Sequence, residues 1–474
     1  MKCALVMPSW LPEDVFPEKT ARAQANYWQP LNLLYMGACL ERGGHEVIFL
    51  DGSFLGHETI INRIKDFKPG LVGVYSNAFL WSRAKKTASD IKAIHKGIHL
   101  TCGGPYPIAT REKCIEESDF DSIVTCEGEH VIVEMVERLE GGRTLEEVKG
   151  TIYREDNIII VNSQADAIED LDSLPMPARH LLLDPMLYLP PPGNYKRKPV
   201  AIIMTSRGCD MHCIYCFQPG ERRIRYRGVE NVLQEIEAVV KDGYKEVRFL
   251  DDTFCGDYDR AMEIAREIKN RGLDISWYVS ARVNQVDEPL LRAFKEAGCW
   301  AILFGAESGV QKNLNALKKG ITLKQTRKAV KAAKEAGLVT CLPFIFGIPG
   351  ETYAEGLETI DFAIELDPDI ANFHTLTPFP GTELYENIDK YGTINGDLEN
   401  FTYEGTAFVP HTMKKEEIEE LRSIAFRKFY SRPKFLLKKL LKMRSLEDLK
   451  VIKRGVKSLF WILFKGDLFK ARRG

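Results

Sequence analysis

The sequence predicts an α/β protein with an amino-terminal doubly wound parallel sheet, a partial (β/α)6 barrel and a basic helical carboxyl-terminal tail. Residues 2–140 and 200–375 each alternate short apolar runs with amphipathic helical patterns, which is typical of parallel sheets that helices cover on both faces. Residues 422–474 carry 17 Lys or Arg against 3 acidic residues, although the net charge of the whole chain is −2. A chain of 474 residues is long enough to form several domains.

The first sheet is predicted to have five strands. They are 3–7, 46–50, 71–75, 98–102 and 122–126. Doubly wound sheets bind ligands at the carboxyl ends of their strands, and the short polar segments SNAF, GGPYP and EGE stand at those positions. The residues expected to contact a ligand there are Ser76, Asn77, Gly103, Gly104, Glu127 and Gly128. Ordinary tight loops would give the same pattern, and that alternative stays open.

A hairpin that turns at Asp156-Asn157, followed by proline-rich segments, indicates a linker. The second unit is then predicted to have six strands. They are 200–205, 246–250, 275–280, 300–305, 340–347 and 369–375. Six βα units in about 180 residues fit a partial barrel, since a complete eight-unit barrel usually needs about 250 residues. Chemistry in such barrels is expected at the carboxyl ends of the strands.

Three cysteines, Cys209, Cys213 and Cys216, follow the first barrel strand with the spacing C-x3-C-x2-C. Structural zinc normally takes four ligands, and no fourth Cys or His stands at finger spacing, although His212 lies within the loop. A redox dithiol of Cys213 and Cys216 would give Cys209 no role. Three cysteines that are only buried core residues are not expected at this spacing among polar residues. An iron–sulfur cluster uses closely spaced thiolates. With three protein ligands, a four-iron cluster keeps one iron open for a small molecule.

This pattern, with Tyr215 before the last cysteine, resembles the radical S-adenosylmethionine (SAM) enzymes. In that family the amino and carboxylate groups of SAM chelate the free iron, and reductive cleavage gives methionine and a 5′-deoxyadenosyl radical. The segments FLDDTF, SARVN, GAESG, GIPGET and TPFPGT resemble further motifs of the family barrel. The resemblance implies that SAM contacts Tyr215, Asp252, Arg282, Glu307, Gly347 and Pro349. Satisfied strand-end carboxylates at Asp251 and Asp252, or an ordinary Glu307–Arg282 ion pair, are the alternatives.

The segments QPLNLLYMGACLERGGHEVIFLDG, CGGPYP and CEGE resemble the cobalamin-binding domain that precedes the barrel in one radical SAM subfamily. The resemblance assigns the six ligand-contacting residues of the first sheet to cobalamin. The Asp-x-His-x-x-Gly motif that ligates cobalt in other cobalamin domains does not occur, and His45 is interpreted as a turn residue. The predicted domains are a cobalamin-binding-like domain (1–145), a hairpin and proline-rich linker (146–199), a radical SAM partial barrel (200–395) and a helical basic region (396–474).

Within this subfamily the chain resembles the anaerobic magnesium-protoporphyrin monomethyl ester cyclase and the radical SAM proteins of hopanoid and lipid biosynthesis. The resemblance implies C-methylation, or radical cyclisation and C–C bond formation, on a lipid, tetrapyrrole or other secondary metabolite. One alternative is an RNA-modifying methylthiotransferase, which usually has three cysteines in its leading domain and a terminal RNA-binding β-barrel. A cobalamin- or SAM-binding sensor without catalysis is another. No catalytic side chain is assigned.

The tail alternates basic and apolar residues at helical spacing, which predicts either packing on the barrel or peripheral contact with an anionic membrane. Nucleic acid is the less favoured partner. A small-molecule or lipid substrate and an electron donor such as flavodoxin or ferredoxin are expected. Eleven cysteines and no recognisable signal peptide predict a cytoplasmic protein. Further pocket candidates, each better explained as structural, are Tyr188, Tyr195, His374 and His411. Cys255, just after DDTF, is either a thiol that handles a radical at the site or a buried cysteine.

Overall fold

The computed structural model describes residues 1–12, 27–156, 158–190, 194–220, 222–396 and 405–441. Its first sheet has seven strands in the order β2-β1-β3-β4-β5-β6-β7. The strands are β1 (Lys2–Met7), β2 (Glu46–Asp51), β3 (Leu71–Tyr75), β4 (His99–Gly103), β5 (Ser122–Val124), β6 (Thr151–Glu155) and β7 (Ile158–Val161). The first five are parallel, and their order places the topological switch point between β1 and β3.

Helices cover both faces of this sheet because its strands are apolar on both sides. The helices are α1 (Leu31–Arg42), α2 (His57–Phe67), α3 (Trp81–Ile94), α4 (Pro105–Thr110), α5 (Glu112–Glu116) and α6 (Gly128–Glu140). Apolar residues of α1 and α6 form one core with Leu5 of β1. Apolar residues of α2 to α5 form a second core on the opposite face, with Val6. The predicted doubly wound sheet is therefore confirmed.

The hairpin β6–β7 pairs antiparallel with β5 and extends the first sheet, although the sequence assigned it to the linker. Its predicted turn residue Asn157 lies outside the residues that the structure describes. The proline-rich segment that follows is packed, since Leu171 and Tyr188 share a core with Val200 and Ile202 of the first barrel strand. Apolar residues spaced through the segment explain this packing. The domain bounds themselves stay predictions.

The second sheet has six parallel strands in the order β15-β14-β13-β12-β11-β8. They are β8 (Val200–Ile203), β11 (Glu246–Phe249), β12 (Ser276–Ala281), β13 (Cys299–Phe304), β14 (Val339–Phe346) and β15 (Ile370–Thr375). The helices are α7 (Val229–Lys241), α8 (Tyr258–Asn270), α9 (Glu288–Glu296), α10 (Gln311–Ala316), α11 (Leu323–Glu335) and α12 (Tyr353–Leu366). Helix and strand residues together form the largest hydrophobic core. This is the predicted partial (β/α)6 barrel.

Smaller elements complete the described chain. They are β9 (Ser206–Arg207), β10 (Arg225–Tyr226), α13 (Glu383–Glu386), α14 (Ile388–Tyr391), β16 (Gly392–Ile394), β17 (Phe408–Pro410), α15 (Lys415–Tyr430) and α16 (Pro433–Leu441). Helix α15 buries Ile418, Leu421 and Phe429 in the barrel core, so this part of the basic tail packs on the barrel. The tail beyond Leu441, which carries most of the predicted membrane-binding pattern, is not among the described residues. None of the described helices is long and apolar enough to cross a membrane.

Side chains occupy both edges of the six-stranded sheet. The Gln29 side chain lies against β8. Its Nε2 donates to the Val200 carbonyl oxygen at 3.4 Å, and its Oε1 accepts from the Ile202 N–H at 3.1 Å. At β15, the Tyr430 hydroxyl accepts from the Ala371 N–H at 3.1 Å and donates to the Ala371 carbonyl oxygen at 2.7 Å. Backbone groups of an open edge strand can pair with another chain. The partial barrel thus has hydrogen-bond partners at both open edges.

Candidate functional site

The cysteine loop is held at its base by a small antiparallel ladder that the sequence did not predict. Residues Ser206 and Arg207 of β9 pair with Tyr226 and Arg225 of β10. The loop leaves this ladder at Gly208, which has φ +90°, and a Cβ there would lie 2.2 Å from the Arg223 carbonyl oxygen. Only glycine fits such a position without strain. The ladder therefore fixes where the loop starts and returns.

The three thiols have different environments. Cys213 is buried, whereas Cys209 and Cys216 are half-buried. A hydrogen bond from the Cys216 thiol lowers the pKa of Cys213 to about 6, and the positive charges of Lys319 and Arg282 act in the same direction against burial. The same hydrogen bond raises the pKa of Cys216. Because thiolates are the ligands of iron, this setting favours metal binding at Cys213.

Among the described residues, no group of three His, Cys, Asp or Glu side chains converges closely enough to hold one metal ion. A four-iron cluster does not require that convergence, because each thiolate binds a different iron. Three thiols on one loop, two of them partly accessible, therefore fit a cluster better than a single zinc ion. The donor set is consistent with the cluster that the motif predicts.

A buried ion pair lies next to the cysteines. The Lys319 ammonium donates to Glu307 Oε1 at 2.6 Å and lies 3.4 Å from the Tyr215 hydroxyl. Glu307 has φ +61° and bridges to Phe344 of β14, so the turn aims its carboxylate at Lys319. Arg282 donates to the Lys319 carbonyl oxygen instead of pairing with Glu307. Sequence reasoning missed Lys319, whose only signal is its position in the turn after α10.

Two observations bear on whether these residues can hold SAM. The Arg282 Nε is buried and has no hydrogen-bond partner, so a donor next to the cysteine loop is left for an acidic group. A Cβ at residue 305 would lie 2.5 Å from Glu307 Oε1 and 2.6 Å from Lys319 Nζ, so Gly305 makes the ion pair possible. The unpaired Arg282 nitrogen, the Glu307 carboxylate and the three thiols all lie at the carboxyl edge of the second sheet. Together they suit the charged groups of SAM.

The adjacent carboxylates of the DDTF segment differ in role. Asp251 is buried, and its Oδ1 accepts from the Thr205 N–H and from the hydroxyls of Thr205 and Ser206 at 2.6–2.9 Å. Asp252 is exposed after β11 and lies near Gly208 and Gln218 of the cysteine loop. Asp251 therefore fixes the start of the β9 strand, whereas Asp252 lies beside the cysteine loop.

The GIPG turn is organised by a carboxyl group that sequence reasoning did not single out. Glu351 is fully buried, and its Oε2 accepts from the N–H groups of Gly347 at 2.7 Å and Ile348 at 3.1 Å. Its Oε1 accepts from the Asn313 side chain at 3.2 Å. Gly347 has φ +82°, which favours glycine, and Pro349 is buried in the same turn. Glu351 is thus a positioning residue for the two predicted SAM contacts.

Burial raises the pKa of Glu351 to about 8, although the two backbone N–H groups oppose the shift. The unfolded chain releases this proton near pH 4.5, so the folded protein is expected to lose stability as pH rises from about 4.5 to about 8. The slope is at most about 1.4 kcal/mol per pH unit. Glu351→Gln should remove this dependence, as measured by urea unfolding across that range. Glu358→Gln, an exposed site on α12 just after the turn, is the control and should keep it.

The predicted cobalamin contacts meet at the carboxyl edge of the first sheet. The Ser76 N–H donates to the Gly103 carbonyl oxygen at 2.8 Å, and Asn77 Oδ1 accepts from the N–H groups of Phe79 and Leu80 at 3.0 and 3.1 Å. A Cβ on Gly104, at φ +117°, would lie 2.4 Å from the Ser76 carbonyl oxygen, whereas one on Gly103 would meet only Val124 at 3.8 Å. Gly104 allows the close turn, and Gly103 leaves room for a flat ligand.

Glu127 and Gly128 begin α6 at the same edge, but the Glu127 carboxylate is bound to the barrel. It accepts from Arg207 at 3.0 Å and from Arg225 at 2.8 and 2.9 Å, and Arg207 also donates to Glu129 at 2.6 Å. Burial raises the pKa of Glu127, yet the hydrogen bonds and charges of Arg225 and Arg207 outweigh it and lower the pKa to about 2. These four residues, the ion cluster, join the first sheet to the foot of the cysteine loop.

Apolar contacts join the same two edges. The ring of Phe79, in the SNAF segment, lies edge-on to Phe379 of TPFPGT, with 6.1 Å between centroids. A Cβ on Gly381, at φ +80°, would lie 2.7 Å from the Phe217 ring and 3.1 Å from Ala109 Cβ. The sixth-strand loop therefore touches both the cysteine loop and the first sheet. The carboxyl edges of the two sheets face each other.

The remaining candidates have structural contacts. The Tyr188 hydroxyl donates to buried Asp51 at 2.8 Å, and His411 Nε2 lies 2.9 Å from the Asp389 carbonyl oxygen. Cys255 is buried in the outer core of the barrel, and Tyr195 packs against the shared core. His45 lies before β2, at the end of the first sheet opposite to the candidate site. His374 lies on β15, on the face opposite to outward-packed Phe373.

Comparisons with known proteins agree with this arrangement. The model of the Radical SAM superfamily matches residues 203–363, and that of the B12 binding domain matches residues 20–136. An uncharacterized methyltransferase of Pyrococcus horikoshii is 34% identical over 98% of this chain and 99% of its own length. The anaerobic magnesium-protoporphyrin IX monomethyl ester cyclase of Rubrivivax gelatinosus is 28% identical over 87% of this chain and 75% of its own length.

Among solved structures, the radical S-adenosylmethionine methyltransferase TsrM from Kitasatospora setae has a similar fold. Its TM-score is 0.71 at 19% sequence identity, with 91% of this chain and 90% of that chain covered. The fold, the edge-to-edge arrangement of the two sheets and the near full-length relative are mutually consistent. The chain belongs to the radical SAM superfamily with an amino-terminal B12-binding domain, and it is a cobalamin-dependent enzyme of the methyltransferase or cyclase type whose cofactors are a 4Fe–4S cluster, SAM and cobalamin.

Proposed function

We propose that this enzyme methylates an unactivated carbon of a lipid, tetrapyrrole or other secondary metabolite, with radical ring closure or C–C bond formation as the second candidate. The observation that carries the proposal is the meeting of the two carboxyl edges through the ion cluster and the Phe79–Phe379 contact. A substrate between them would face both cofactors at once. The near full-length relative is named a methyltransferase, and the 28% identical relative a cyclase.

When bound, the cluster, SAM and cobalamin supply radical formation and a transferable methyl group. The chain's own residues bind these cofactors and orient them. Cys209, Cys213 and Cys216 would hold the cluster, and Arg282, whose Nε has no hydrogen-bond partner, would donate to the SAM carboxylate. Glu307, fixed by Lys319, accepts from the ribose hydroxyls. Tyr215, Asp252 and the turn at Gly347 and Pro349 complete the SAM contacts.

On the opposite side, Asn77, Gly103, Gly104 and Gly128 offer their backbone to cobalamin. Ser76, also predicted as a contact, is fully buried and instead fixes Gly103 through its N–H. Glu127 acts through Arg207 and Arg225 by holding the cysteine loop against the first sheet. This division separates residues that touch a cofactor from the ion cluster that sets the distance between the two cofactor sites. Positioning of this kind contributes to catalysis because small displacements of reacting groups are costly.

One further feature disfavours the methylthiotransferase alternative. Four leading-domain cysteines lie in hydrophobic cores, where they cannot share a second cluster without unpacking the sheet. They are Cys3, Cys39, Cys102 and Cys114. Burial raises the pKa of Cys3 to about 12 and that of Cys39 to about 11, so neither is a ready thiolate. The last two described elements, α15 and α16, are helices and not part of a β-barrel.

Anaerobic reconstitution with iron, sulfide and hydroxocobalamin, followed by metal analysis and a visible spectrum, tests the proposal. About four irons and one cobalt per chain are expected. Candidate lipids and tetrapyrroles are then incubated with methyl-labelled SAM and a reductant. Label transfer to carbon supports methylation. An altered, unlabelled product supports ring closure or coupling, and iron without cobalt would rule out the methyl transfer proposed here.

Two partners belong to the same proposal. A flavodoxin or ferredoxin of the cytoplasm supplies the electron, which predicts that either protein, kept reduced, can replace a chemical reductant in SAM cleavage.

The basic tail touches an anionic membrane. Removing residues 442–474, which keeps α15 on the barrel, should therefore weaken sedimentation with vesicles rich in anionic lipid and leave neutral vesicles unaffected. Equal sedimentation of the full-length and the truncated protein would contradict membrane contact and favour the alternative that the tail packs on the barrel.

A further inference from the structure

The inner face of the barrel holds an arginine whose charge has no acidic partner. Along β11, Val247 and Phe249 point into the outer core, so Glu246, Arg248 and then Leu250 face the lumen. The Arg248 guanidinium forms no ion pair with any residue in the described ranges, and its Nε is buried without a hydrogen-bond partner. A charge in that setting is costly unless something compensates it.

Aromatic rings surround the guanidinium. Its central carbon lies 3.9 Å from the ring centroid of Tyr278 and 4.6 Å from that of Trp28. Tyr278 in turn stacks on Trp300, with 5.9 Å between centroids. Such cation–π contacts contribute about 0.5–2 kcal/mol, which is less than the several kcal/mol that an ion loses on burial. The rings orient Arg248 without neutralising it.

The nearest acid of the lumen, Glu246, is already used. Its Oε2 accepts from the N–H groups of Lys196 and Arg197 and from the Ser276 hydroxyl, each at 2.8 Å. Its Oε1 accepts from Trp300 Nε1 at 3.1 Å. These four donors hold the carboxylate at the amino-terminal end of β11. The carboxyl end of the barrel, where chemistry in such barrels takes place, lies on the other side of Arg248.

An apolar wall lies above Arg248. Leu250, two residues further along the same side, is 45% exposed although it is a large apolar residue inside the barrel. Arg282 and Lys319, in contrast, act on the thiols of the cysteine loop, while Arg248 interacts with Tyr278 and Cys341 and, more weakly, with Glu246. The lumen thus offers a second cationic site apart from the one predicted for SAM.

We propose that Arg248 anchors an oxyanion of the substrate, a carboxylate or a phosphate-type group carried on an apolar body. The planar guanidinium suits two parallel hydrogen bonds to such a group, and Trp28 and Tyr278 keep it in place. The apolar body extends past Leu250 toward the cysteine loop, so the carbon that reacts is remote from the acid group. This inference rests on the proposed function, because it assumes that the lumen holds the substrate.

Thermal unfolding of the reconstituted enzyme with SAM bound tests the proposal. The probes are benzoate and phenylphosphonate, with benzamide as the uncharged match for benzoate. At about ten times the dissociation constant, either oxyanion is expected to raise the unfolding midpoint by about 1–2 °C, and benzamide is not. Arg248→Met should lose the rise. A response to only one oxyanion tells which acid group the site takes.

Arg327→Met is the matched control. Arg327 lies over the Phe362 ring at 4.8 Å, as Arg248 lies over Trp28, but its charge is paired with Glu365 at 2.6 Å on the surface. This variant should keep the full rise. Arg248→Lys, which retains the charge but not the planar fork, should give a smaller rise and serves if the methionine variant does not fold.

Equal shifts with benzoate and benzamide, no shift in wild type, or an unchanged shift in Arg248→Met would overturn the proposal. None of these readouts requires turnover. Failure here with normal iron and cobalt content would leave the proposed function standing. A protein that takes up iron but no cobalt, yet responds to oxyanions through Arg248, would contradict the proposed methyl transfer. It would still support the anion site at Arg248.

Discussion

Cys213→Ala is expected to remove most of the iron from the reconstituted enzyme and to lower SAM cleavage by at least about a thousandfold, because enzymatic accelerations typically exceed a million-fold and depend here on one cofactor. Cys213 is the buried member of the three thiols and the one whose pKa is lowered, to about 6, by the Cys216 thiol and the charges of Lys319 and Arg282. Iron analysis and anaerobic measurement of 5′-deoxyadenosine provide the two readouts.

Cys299→Ala is the control for this variant. Cys299 is also buried in the barrel, but it lies at the start of β13, at the end opposite to the cysteine loop, and its thiol donates to the Ala301 carbonyl oxygen at 3.3 Å. Its removal should cost about 1 kcal/mol of stability and leave the iron content unchanged. A Cys213→Ala protein that keeps four irons and cleaves SAM would contradict the assignment of the cluster.

Glu127→Gln is expected to lower the free energy of unfolding by about 3 kcal/mol at pH 7. Among the described residues, the change leaves Arg225 without an ion-pair partner and Arg207 paired with Glu129 alone. Because the folded pKa of about 2 lies below the unfolded value of about 4.5, this stabilisation is fully present above pH 4.5 and is lost as pH falls toward 2. Wild type and variant should therefore converge in acid, as urea unfolding between pH 7 and pH 3 can measure.

The matched control is Glu134→Gln, because Glu134 is exposed on α6, the helix that Glu127 precedes, and pairs with Arg138, one turn away, at 3.6 Å. Its stability should follow wild type at every pH. Hydrogen exchange adds a local readout, since the β9–β10 ladder should exchange faster in Glu127→Gln than in either other protein. A constant difference between wild type and Glu127→Gln at all pH values would show that the carboxylate charge does not matter.

Strands and loops that depend on the local sequence pattern were predicted well from the sequence. The strand 71–75 has the predicted bounds, and the three-cysteine loop follows the first barrel strand, because apolar runs and motif spacing are local properties. The partners of side chains were not predictable in the same way. Glu127 stands at a strand end, as expected, but its salt bridges depend on arginines about 80 and 98 residues later.

Long-range packing explains the other omissions. Lys319 reaches Glu307 only because β13 and the turn after α10 lie together, and Glu351 closes its turn on backbone N–H groups that any residue could supply. Arg248 looks in the sequence like an ordinary strand residue. Its lack of an acidic partner follows from the six-stranded sheet, not from its neighbours in the chain.

The edge contacts of Gln29 and Tyr430 limit how far the protein can be trimmed. Residues 203–363, the part matched by the superfamily model, include neither of them, nor β15. A fragment cut to those bounds would have bare backbone donors and acceptors along its first and last strands. Such a fragment is expected to associate into insoluble aggregates when it is produced alone. Production of the catalytic part by itself would have to begin before Gln29 and extend past Tyr430, which is nearly the whole polypeptide.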